Sequence, residues 1–460
     1  MPPQPMELFK RYGVKKLMRF AAILLLGLFF GVGVRAAESR PNILVIVVDD
    51  LGWAGVGYHN KAMMTPNLDK LAKESTELQR FYVYPVCSPT RAALLTGQMP
   101  RRFGVVTALN GNDPGIPAGL STIAGTLKSA GYHTSLVGKW HLGKATVPQG
   151  NGFEHFYGFI SAEVDYYKHT AKNGRADWQR DGKAVEEEGY STYLLADDVV
   201  RQVKSRDKTK PFYIQLCMNA PHDPLSAPAE LVQKHKAKGE KLGLYAAVVE
   251  AMDEGIGRVL NVLDTEQIKD NTLVVFFSDN GASGREGGDN TPLNSGKGSV
   301  YEGGIHTPAL VRWPGRVASG AGLLQPICVQ DLYPTLVAAA GATMPAKVSI
   351  DGVNQLPSWL SGKVQPRNPF VVSVSDTALI DGDVKLIKFS DGSKALYNLK
   401  DDLSERNNLV AKQVDIVNKL STKMDELTKG LPEVEKPKAG PGSGAGTGSG
   451  GQGGGPRKKN

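Results

Sequence analysis

The sequence predicts an α/β fold in which a large, mixed and mostly parallel β-sheet is sandwiched by helices, followed by a smaller antiparallel sheet. Continuous apolar runs rich in β-branched and aromatic residues, typical of strands buried on both faces, occur at 43–48, 211–217 and 273–277. Segments with helical character lie between these runs, which suits parallel strands joined by helices. From about residue 366 the pattern changes to short alternating runs, which are typical of antiparallel strands.

The other elements can be assigned in chain order. A helix begins at Thr65-Pro66, where a capping residue precedes a proline at the first helical position. Residues 81–86 are expected to be extended, and 144–190 form a loop-rich insertion of the kind that shapes a substrate pocket. We expect helices at 65–79, 121–129, 193–205, 242–263, 331–340 and 414–427, and further strands at 134–137, 309–313, 370–374, 384–389 and 395–399.

Length and composition indicate a globular protein with a large core. The chain has 460 residues, of which 41% are hydrophobic, and a formal net charge of +8. Residues 1–36 and 436–460 each carry a net charge of +5, so residues 37–435 carry −2. The basic character therefore belongs to the two ends and does not indicate a nucleic-acid partner for the folded body. Three cysteines make no disulfide framework, and Cys217 and Cys328, in apolar surroundings, are expected to be buried free thiols.

The ends of the chain predict export and define the domain boundaries. Residues 1–36 have the basic start, the apolar run at 20–34 and the small residues before a cut after Ala36 that are typical of a secretory signal peptide. That run is short for a membrane span of about 20 residues, so we expect cleavage rather than an uncleaved anchor, no stable membrane span afterwards, and a periplasmic or extracellular protein. A catalytic domain at 37–365, an antiparallel-sheet subdomain with a closing helix at 366–432 and a disordered Gly-rich basic tail at 433–460 complete the organisation.

Oxygen-bearing side chains follow two of the predicted buried strands. Asp49 and Asp50 come directly after the strand at 43–48, and Asp279 and Asn280 come shortly after the strand at 273–277. Ligand sites of open α/β sheets lie at such strand ends, and two adjacent carboxylates there would repel each other without a cation. Carboxylate and amide oxygens suit Ca²⁺ or Mg²⁺ and not Zn²⁺.

Positively charged and proton-transferring side chains follow other strands. Lys139 and His141 come after the strand at 134–137, His222 follows the strand at 211–217, and Lys297 lies in a Gly-rich loop. A divalent cation together with several cationic side chains is suited to a small tetrahedral oxyanion. Hydrolysis of a sulfate ester and of a phosphate ester both fit. Read singly, His222 could be a turn histidine and Lys297 a solvated lysine.

The stretch from Cys87 to Gly97 supplies a candidate nucleophile. Pro89 favours the first turn of a helix, so Cys87 lies at a helix N-terminus, where free N–H groups and the helix dipole favour negative charge. Arg91 lies about one helical turn further on and could direct its guanidinium towards residue 87. A lone cysteine in this position would more often be a buried structural residue, and the rest of the pattern decides between the two interpretations.

The motifs together resemble the formylglycine-dependent, type I sulfatases, the arylsulfatase family of the alkaline-phosphatase superfamily. Cys87-Ser-Pro-Thr-Arg91 with its trailing Leu-Thr-Gly matches the family signature C-x-P-[S/T]-R. The resemblance extends over 41–409 and is carried in family order by Asp49-Asp50-Leu-Gly, Gly-Lys139-Trp-His141, Pro-His222, Ser-Asp279-Asn280-Gly and Lys297, with a C-terminal part resembling the family's small subdomain. It implies an alkaline-phosphatase-like fold and a sulfuric ester hydrolase.

The resemblance also implies a role for each residue. Cys87 would be converted to formylglycine (3-oxoalanine) by a formylglycine-generating maturation enzyme, and its aldehyde hydrate, oriented by Arg91, would attack the sulfur of a sulfated glycan or aryl sulfate. His222 or Lys297 would protonate the leaving alcohol, and His141 would take a proton so that sulfate is expelled. The implied calcium ligands, with Mg²⁺ the less favoured ion, are Asp49, Asp50, Cys87, Asp279 and Asn280; the implied sulfate ligands are Lys139, His222 and Lys297.

One further residue and two alternative functions complete the sequence-based hypotheses. His169, in Asp165-Tyr-Tyr-Lys-His, resembles a residue of arylsulfatase B-type enzymes and is predicted to contact substrate. A phosphodiesterase or phosphonate hydrolase of the same superfamily would share the metal site. A catalytically inactive binding protein of the same fold is the third possibility, and the presence of Cys87, Lys139, His141 and His222 argues against it.

Overall fold

The computed structural model describes residues 40–109, 113–143, 146–346 and 348–432. The predicted signal peptide at 1–36 and the predicted tail at 433–460 lie outside these residues, and the domain boundaries stay a prediction. Within the described residues, no helix is both long enough and apolar enough to cross a membrane.

The described residues contain ten α-helices and sixteen strands. The helices are α1 (Pro66–Lys73), α2 (Cys87–Thr96), α3 (Ile123–Ser129), α4 (Ser191–Ser205), α5 (Ala229–His235), α6 (Glu240–Thr265), α7 (Glu302–Ile305), α8 (Leu332–Ala339), α9 (Leu356–Ser361) and α10 (Val414–Thr428). The strands are β1 (Asn42–Val48), β2 (Thr76–Leu78), β3 (Phe81–Tyr82), β4 (His133–Lys139), β5 (His155–Phe159), β6 (Gln179–Arg180), β7 (Lys183–Ala184), β8 (Phe212–Cys217), β9 (Thr272–Ser278), β10 (Ala309–Arg312), β11 (Ala321–Leu323), β12 (Ile327–Cys328), β13 (Phe370–Ser373), β14 (Thr377–Asp381), β15 (Val384–Lys388) and β16 (Lys394–Asn398).

A ten-stranded mixed sheet forms the centre of the molecule, in the order β11-β2-β10-β9-β1-β8-β4-β5-β6-β7. Strand β1 lies in the middle and runs parallel to both β8 and β9, while β4 runs parallel to β8 and β5. The register pairs Val48 with Ser278, so the residues that follow these two strands, Asp49 and Asp279, emerge side by side. The sheet therefore brings the predicted strand-end residues together at one edge.

Helices cover both faces of this sheet because its central strand is apolar on both faces. Side chains of β1 alternate between two apolar clusters, with Val45 and Val47 in one and Leu44 and Ile46 in the other. Helices α2, α3 and α8 contribute to the first cluster, and α1, α4 and α6 contribute to the second. The predicted α/β class, with a mixed and mostly parallel sheet between helical layers, is confirmed.

A separate four-stranded antiparallel sheet, β13-β14-β15-β16, follows in the chain. Helix α10 packs on one face of it, where Val417, Leu420 and Met424 contact Leu379 and Leu386. The predicted small antiparallel sheet is thus present, and it contains one strand, β14, that the sequence pattern did not distinguish from the turns beside it.

The helix predicted at 65–79 is wrong at its C-terminal end. It stops at Lys73, and Thr76–Leu78 form β2, which pairs with β10 and β11. Sheet pairing with strands more than 200 residues away decides the conformation of this short segment, and no local pattern reports such pairing. The free, buried state predicted for Cys217 and Cys328 is confirmed.

Candidate active site

The strand ends gather the predicted oxygen ligands into one buried cluster. The backbone N–H of Asp50 donates to Asp279 Oδ1 at 3.3 Å, and the Asn280 amide donates to Asp50 Oδ1 at 2.7 Å. Ligand atoms of Asp49, Asp279 and Cys87 lie within 4.8 Å of one another. All of these residues are at most 5% exposed. Asp50 adopts a left-handed φ of 67°, a conformation that aspartate tolerates better than most residues.

Cys87 is the first residue of α2, and Pro89 occupies the first turn, as the sequence predicts. The helix is buried along its whole length and ends at Gly97, whose φ of 67° favours glycine. Burial raises the pKa of the Cys87 thiol, and the nearby Lys139 opposes this shift. A buried thiol that holds its proton is a weak nucleophile, so the cysteine as encoded is poorly suited to attack an ester.

His141 faces Cys87 with one nitrogen and the backbone with the other. Its Nε2 lies 2.8 Å from the Leu109 carbonyl oxygen, which can only accept, so Nε2 carries the hydrogen and donates. Nδ1 is then an acceptor, 3.2 Å from Cys87 Sγ. Burial, with a further contribution from Lys139, lowers the pKa of His141 well below its ordinary value. The imidazole is therefore neutral and presents its lone pair to residue 87.

Arg91 and Lys139 pair with the aspartates. The Arg91 Nε and Nη2 atoms lie 3.1 and 2.7 Å from Asp279 Oδ2, and Nη1 donates to the Lys139 carbonyl oxygen at 3.2 Å. Lys139 Nζ lies 2.6 Å from Asp49 Oδ2, and although burial opposes its charge, Asp49 raises the pKa of Lys139. The guanidinium of Arg91 thus orients Asp279 and the strand that carries Lys139, rather than directly contacting residue 87.

His222 and Lys297 lie side by side next to Asp50. Lys297 Nζ lies 2.7 Å from Asp50 Oδ2 and 3.2 Å from His222 Nε2. His222 Nδ1 donates to the backbone carbonyl of Asp223 at 2.6 Å, which leaves Nε2 as the acceptor for the lysine. Burial opposes the charge of Lys297, but Asp50 raises its pKa above the ordinary lysine value. Lys297 is therefore a persistent positive charge next to an imidazole.

The electrostatics of the aspartates fit a metal ion. Burial and the neighbouring Asp49 raise the pKa of Asp279 to about 6, whereas Lys139, acting against burial, lowers the pKa of Asp49 below its ordinary range. Two buried side-chain oxygens of the cluster, Asp49 Oδ1 and Asn280 Oδ1, have no hydrogen-bond partner within the described residues. Buried oxygens without a hydrogen-bond donor are what a bound divalent cation would satisfy.

His169 lies outside this cluster, and its predicted contact with substrate stays a prediction. It is 4% exposed, its ring stacks on Trp178 with ring centroids 4.6 Å apart, and its Nε2 lies 3.1 Å from the carbonyl oxygen of Gly189. Its backbone adopts a φ of 54°. A side chain enclosed in this way supports the fold of the insertion and has almost no surface for a ligand.

A cavity of about 860 Å³ opens beside His141. Its wall includes Leu109 and residues of the insertion, among them Glu163, Lys172 and Arg175. Sequence reasoning did not identify the carbonyl of Leu109, because any residue supplies a carbonyl, nor the individual insertion residues, because their cue was only a loop-rich composition.

Comparisons with known proteins agree with this geometry. The family model described as "Sulfatase" matches residues 41–342. Human N-acetylgalactosamine-6-sulfatase is 35% identical over 368 residues, covering 74% of this chain and 70% of the human protein. The crystal structure of Ps i-CgsB in complex with k-i-k-neocarrahexaose is 32% identical, with a TM-score of 0.81 and coverage of 86% of this chain and 94% of that one.

A more distant structure shares the fold alone. The phosphonate monoester hydrolase of Agrobacterium radiobacter is 19% identical, with a TM-score of 0.61 and coverage of 84% of this chain and 95% of that one. The family match and the two closer relatives decide the assignment within this common architecture. The chain belongs to the sulfatase family and is a sulfuric ester hydrolase with an alkaline-phosphatase-like fold.

Proposed function

We propose that this sulfatase cleaves sulfate esters of glycans, using formylglycine at position 87 as the nucleophile and calcium bound by the aspartate cluster. The main support is the position of the acceptor nitrogen of His141, which lies 3.2 Å from Cys87 Sγ. Both residues lie in a cluster of carboxylates paired with cations. Glycan substrates are supported by the N-acetylgalactosamine-6-sulfatase relative and by the carbohydrate complex of Ps i-CgsB. The 860 Å³ cavity beside His141 has room for sugar residues.

Asp49, Asp50, Asp279 and Asn280, with residue 87, would hold the calcium ion. Their donors are hard oxygens, which calcium prefers. The three carboxylates already pair with three cations, Arg91, Lys139 and Lys297. A divalent ion would therefore leave the site positively charged, which favours an anionic sulfate ester. When bound, the ion would supply positive charge to the sulfate oxygens.

The chain's own side chains would bind the sulfate oxygens and transfer the protons. Formylglycine would supply a hydrated aldehyde whose oxygen bonds to sulfur and whose carbonyl reforms as sulfate leaves. The lone pair of His141 Nδ1 faces position 87 and can take the proton released when that carbonyl reforms. Each lysine ammonium has three N–H donors, so Lys139 and Lys297 can hold sulfate oxygens while keeping their aspartate partners. The pair of His222 and Lys297 delivers the proton to the leaving oxygen.

We further propose that the protein is exported and is matured by a partner enzyme. The predicted signal peptide at 1–36 supports secretion to the periplasm or beyond the cell. Formation of formylglycine at Cys87 requires a formylglycine-generating enzyme, which would read the segment Cys87-Ser-Pro-Thr-Arg91 before the site folds around it, because α2 is buried in the folded protein.

We expect the peptide that carries residue 87, taken from active enzyme, to be about 18 Da lighter than the encoded sequence, since –CH₂SH becomes –CHO. Mass spectrometry of a tryptic digest measures this directly, and the peptides containing Cys217 and Cys328 should show unmodified cysteine. Unmodified Cys87 in fully active enzyme would overturn the proposed nucleophile. Assays of an aryl sulfate beside an aryl phosphonate monoester would separate the proposed activity from that of the superfamily's phosphonate hydrolases.

Removing calcium with EGTA is expected to lower both activity and the melting temperature, and added calcium should restore both more fully than magnesium. At a calcium concentration about 100 times its dissociation constant, binding stabilises the folded state by about 2.7 kcal/mol. Differential scanning fluorimetry across a calcium titration measures the shift.

The matched variants for this titration are Asp279→Asn and Asp197→Asn. Asp279→Asn removes a proposed ligand and should abolish the calcium-dependent shift. Asp197→Asn makes the same change at an exposed residue that pairs with Arg258 on the surface, and it should retain the shift. A calcium-dependent shift that persists in Asp279→Asn would place the ion elsewhere.

A further inference from the structure

We propose that the hairpin at residues 170–176 is a second anion-binding subsite, with Arg175 as its main ligand, for a charged group on a sugar next to the one that carries the cleaved sulfate. The inference rests on the proposed action on glycans and names the class of glycan: a chain with more than one anionic group. It assigns the recognition to residues of the insertion rather than to the buried cluster.

The hairpin is defined by its backbone hydrogen bonds. Thr170 and Ala176 form an antiparallel bridge, and the N–H of Ala171 donates to the carbonyl of Arg175 at 2.8 Å. The N–H of Gly174 closes the turn on the carbonyl of Ala171 at 2.8 Å, with a φ of 79° that favours glycine. The turn thus places Lys172, Asn173 and Arg175 at its tip.

The hairpin lines two cavities that border residues near the active site. Lys172, Asn173 and Arg175 line the 860 Å³ cavity that reaches His141. The hairpin also lines a smaller cavity of about 300 Å³, whose wall includes Asp223, the residue directly after His222. When the sulfate of a glycan occupies the buried cluster, the rest of the glycan chain would extend out through these cavities. The adjoining sugar would therefore contact the hairpin.

The base of the hairpin is held rigidly, which a recognition site requires. His169 stacks on Trp178 and accepts the N–H of Asp177 on its own carbonyl at 3.1 Å. The Asp177 carboxylate accepts the N–H groups of Ile160 and Ser161 at 3.0 and 2.8 Å. His169 is therefore a positioning residue for this loop, which explains its burial.

Arg175 supplies the positive charge that a second anion would meet at the hairpin. Arg175 is exposed, and within the described residues its guanidinium has no hydrogen-bond or ion-pair partner. Two acids line the 860 Å³ cavity together with Arg175: Asp177 accepts backbone N–H groups, and Glu163 lies 3.4 Å from the ammonium of Lys172. Two further acids, Asp165 and Asp223, line the smaller cavity, which Arg175 does not line. Lys172 is 83% exposed, so this ion pair is weak and easily exchanged for a ligand. A free guanidinium binds sulfate or carboxylate with two parallel hydrogen bonds.

Binding and turnover are measured with three probes that differ in the anionic group next to the cleaved sulfate. The probes are a chondroitin 6-sulfate hexasaccharide, whose neighbouring groups include uronates, an iota-carrageenan hexasaccharide, whose neighbouring groups are sulfates, and 4-methylumbelliferyl sulfate, which has no second anion. Arg175→Gln should raise KM for the preferred oligosaccharide about tenfold, the effect of losing one charged hydrogen-bond pair, with kcat nearly unchanged. Its activity on the aryl sulfate should equal that of the unmutated enzyme.

Arg406→Gln is the matched control, because Arg406 is exposed and lies in the small C-terminal part of the chain. Titration calorimetry in a Cys87→Ala background should show the same loss of oligosaccharide affinity for Arg175→Gln alone. An unchanged KM and affinity in Arg175→Gln, or an equal loss on the aryl sulfate, would overturn the subsite while leaving the proposed function intact. Aryl sulfate cleavage by an unmutated enzyme that binds neither oligosaccharide would overturn the glycan assignment and the subsite together.

Discussion

Alanine at position 87 is expected to abolish sulfate-ester hydrolysis, lowering kcat/KM by about four to six orders of magnitude, the range found when a covalent nucleophile is removed. The geometry explains the size of the effect. Cys87 is the side chain that faces the free lone pair of His141, and it shares the buried cluster with Asp49 and Asp279. Without the side chain of residue 87, His141 and the proposed metal site remain, but no nucleophile is present to attack sulfur. Initial rates on an aryl sulfate measure the change.

Cys217→Ala provides the control for this variant. Cys217 is also a buried free cysteine, on β8 beside the central strand, and the same atoms are removed. We expect it to retain nearly full turnover. The melting temperatures of both variants should stay close to that of the unmutated enzyme, so that a difference in rate reports chemistry. Substantial turnover by well-folded Cys87→Ala would show that another group attacks sulfur and would refute the assignment.

Much of this site could be predicted because its residues stand at the ends of strands whose apolar runs are long and regular. Asp49 and Asp279 follow β1 and β9, and parallel pairing of those strands brings the two carboxylates together. The sequence did not reveal the partners of Arg91. Helical spacing relates it to Cys87, but its hydrogen bonds are made to Asp279 and to the backbone of β4, which depend on the packing of distant segments.

Among the residues of the insertion, too, a local motif did not predict which side chains line the cavity. His169 matched a local motif, yet its ring is enclosed by Trp178 and Gly189, and the side chains that line the cavity are its neighbours Lys172 and Arg175. His169 follows a turn at 166–168, and the hairpin at 170–176 after it carries Lys172 and Arg175 to the cavity. The backbone of His169 is left-handed, with a φ of 54°, and sequence periodicity predicts neither this conformation nor the hairpin.

Replacing Lys385 with methionine is expected to destabilise the protein by about 3–5 kcal/mol, the cost of leaving buried charges without their partner. Lys385, on β15 of the small sheet, is fully buried, and its Nζ lies 2.8 Å from both Glu302 Oε1 and Glu405 Oε1. Glu405 Oε2 in turn accepts the N–H of Glu302 at 2.6 Å. Methionine fills the space of the lysine stem but leaves the two carboxylates in the interior without the lysine between them, although Glu302 keeps its contact with His306 Nδ1 at 2.9 Å. Chemical denaturation at pH 8 measures the loss.

Lys388→Met, on the same strand, is the matched control, because Lys388 is 48% exposed and lies 3.5 Å from an exposed Asp425. Loss of this exposed ion pair should lower the free energy of unfolding by no more than about 1 kcal/mol. Equal effects of the two variants would mean that the buried lysine contributes no more than a surface one.

The dependence of the Lys385→Met effect on pH tests its cause. Burial and Glu302 raise the pKa of Glu405 to about 7, against an ordinary value of 4.5, while Lys385 opposes that rise. A carboxyl with a raised folded-state pKa stabilises the fold fully below its unfolded value and loses that contribution as pH rises through the folded value. Without the lysine the pKa rises further, so the variant loses more stability by pH 8 and less at pH 5, where Glu405 is protonated. We therefore expect the difference from the unmutated enzyme to shrink at pH 5. A difference that stayed constant would assign the loss to packing or to Glu302, whose pKa Lys385 lowers against burial to about 2, rather than to Glu405.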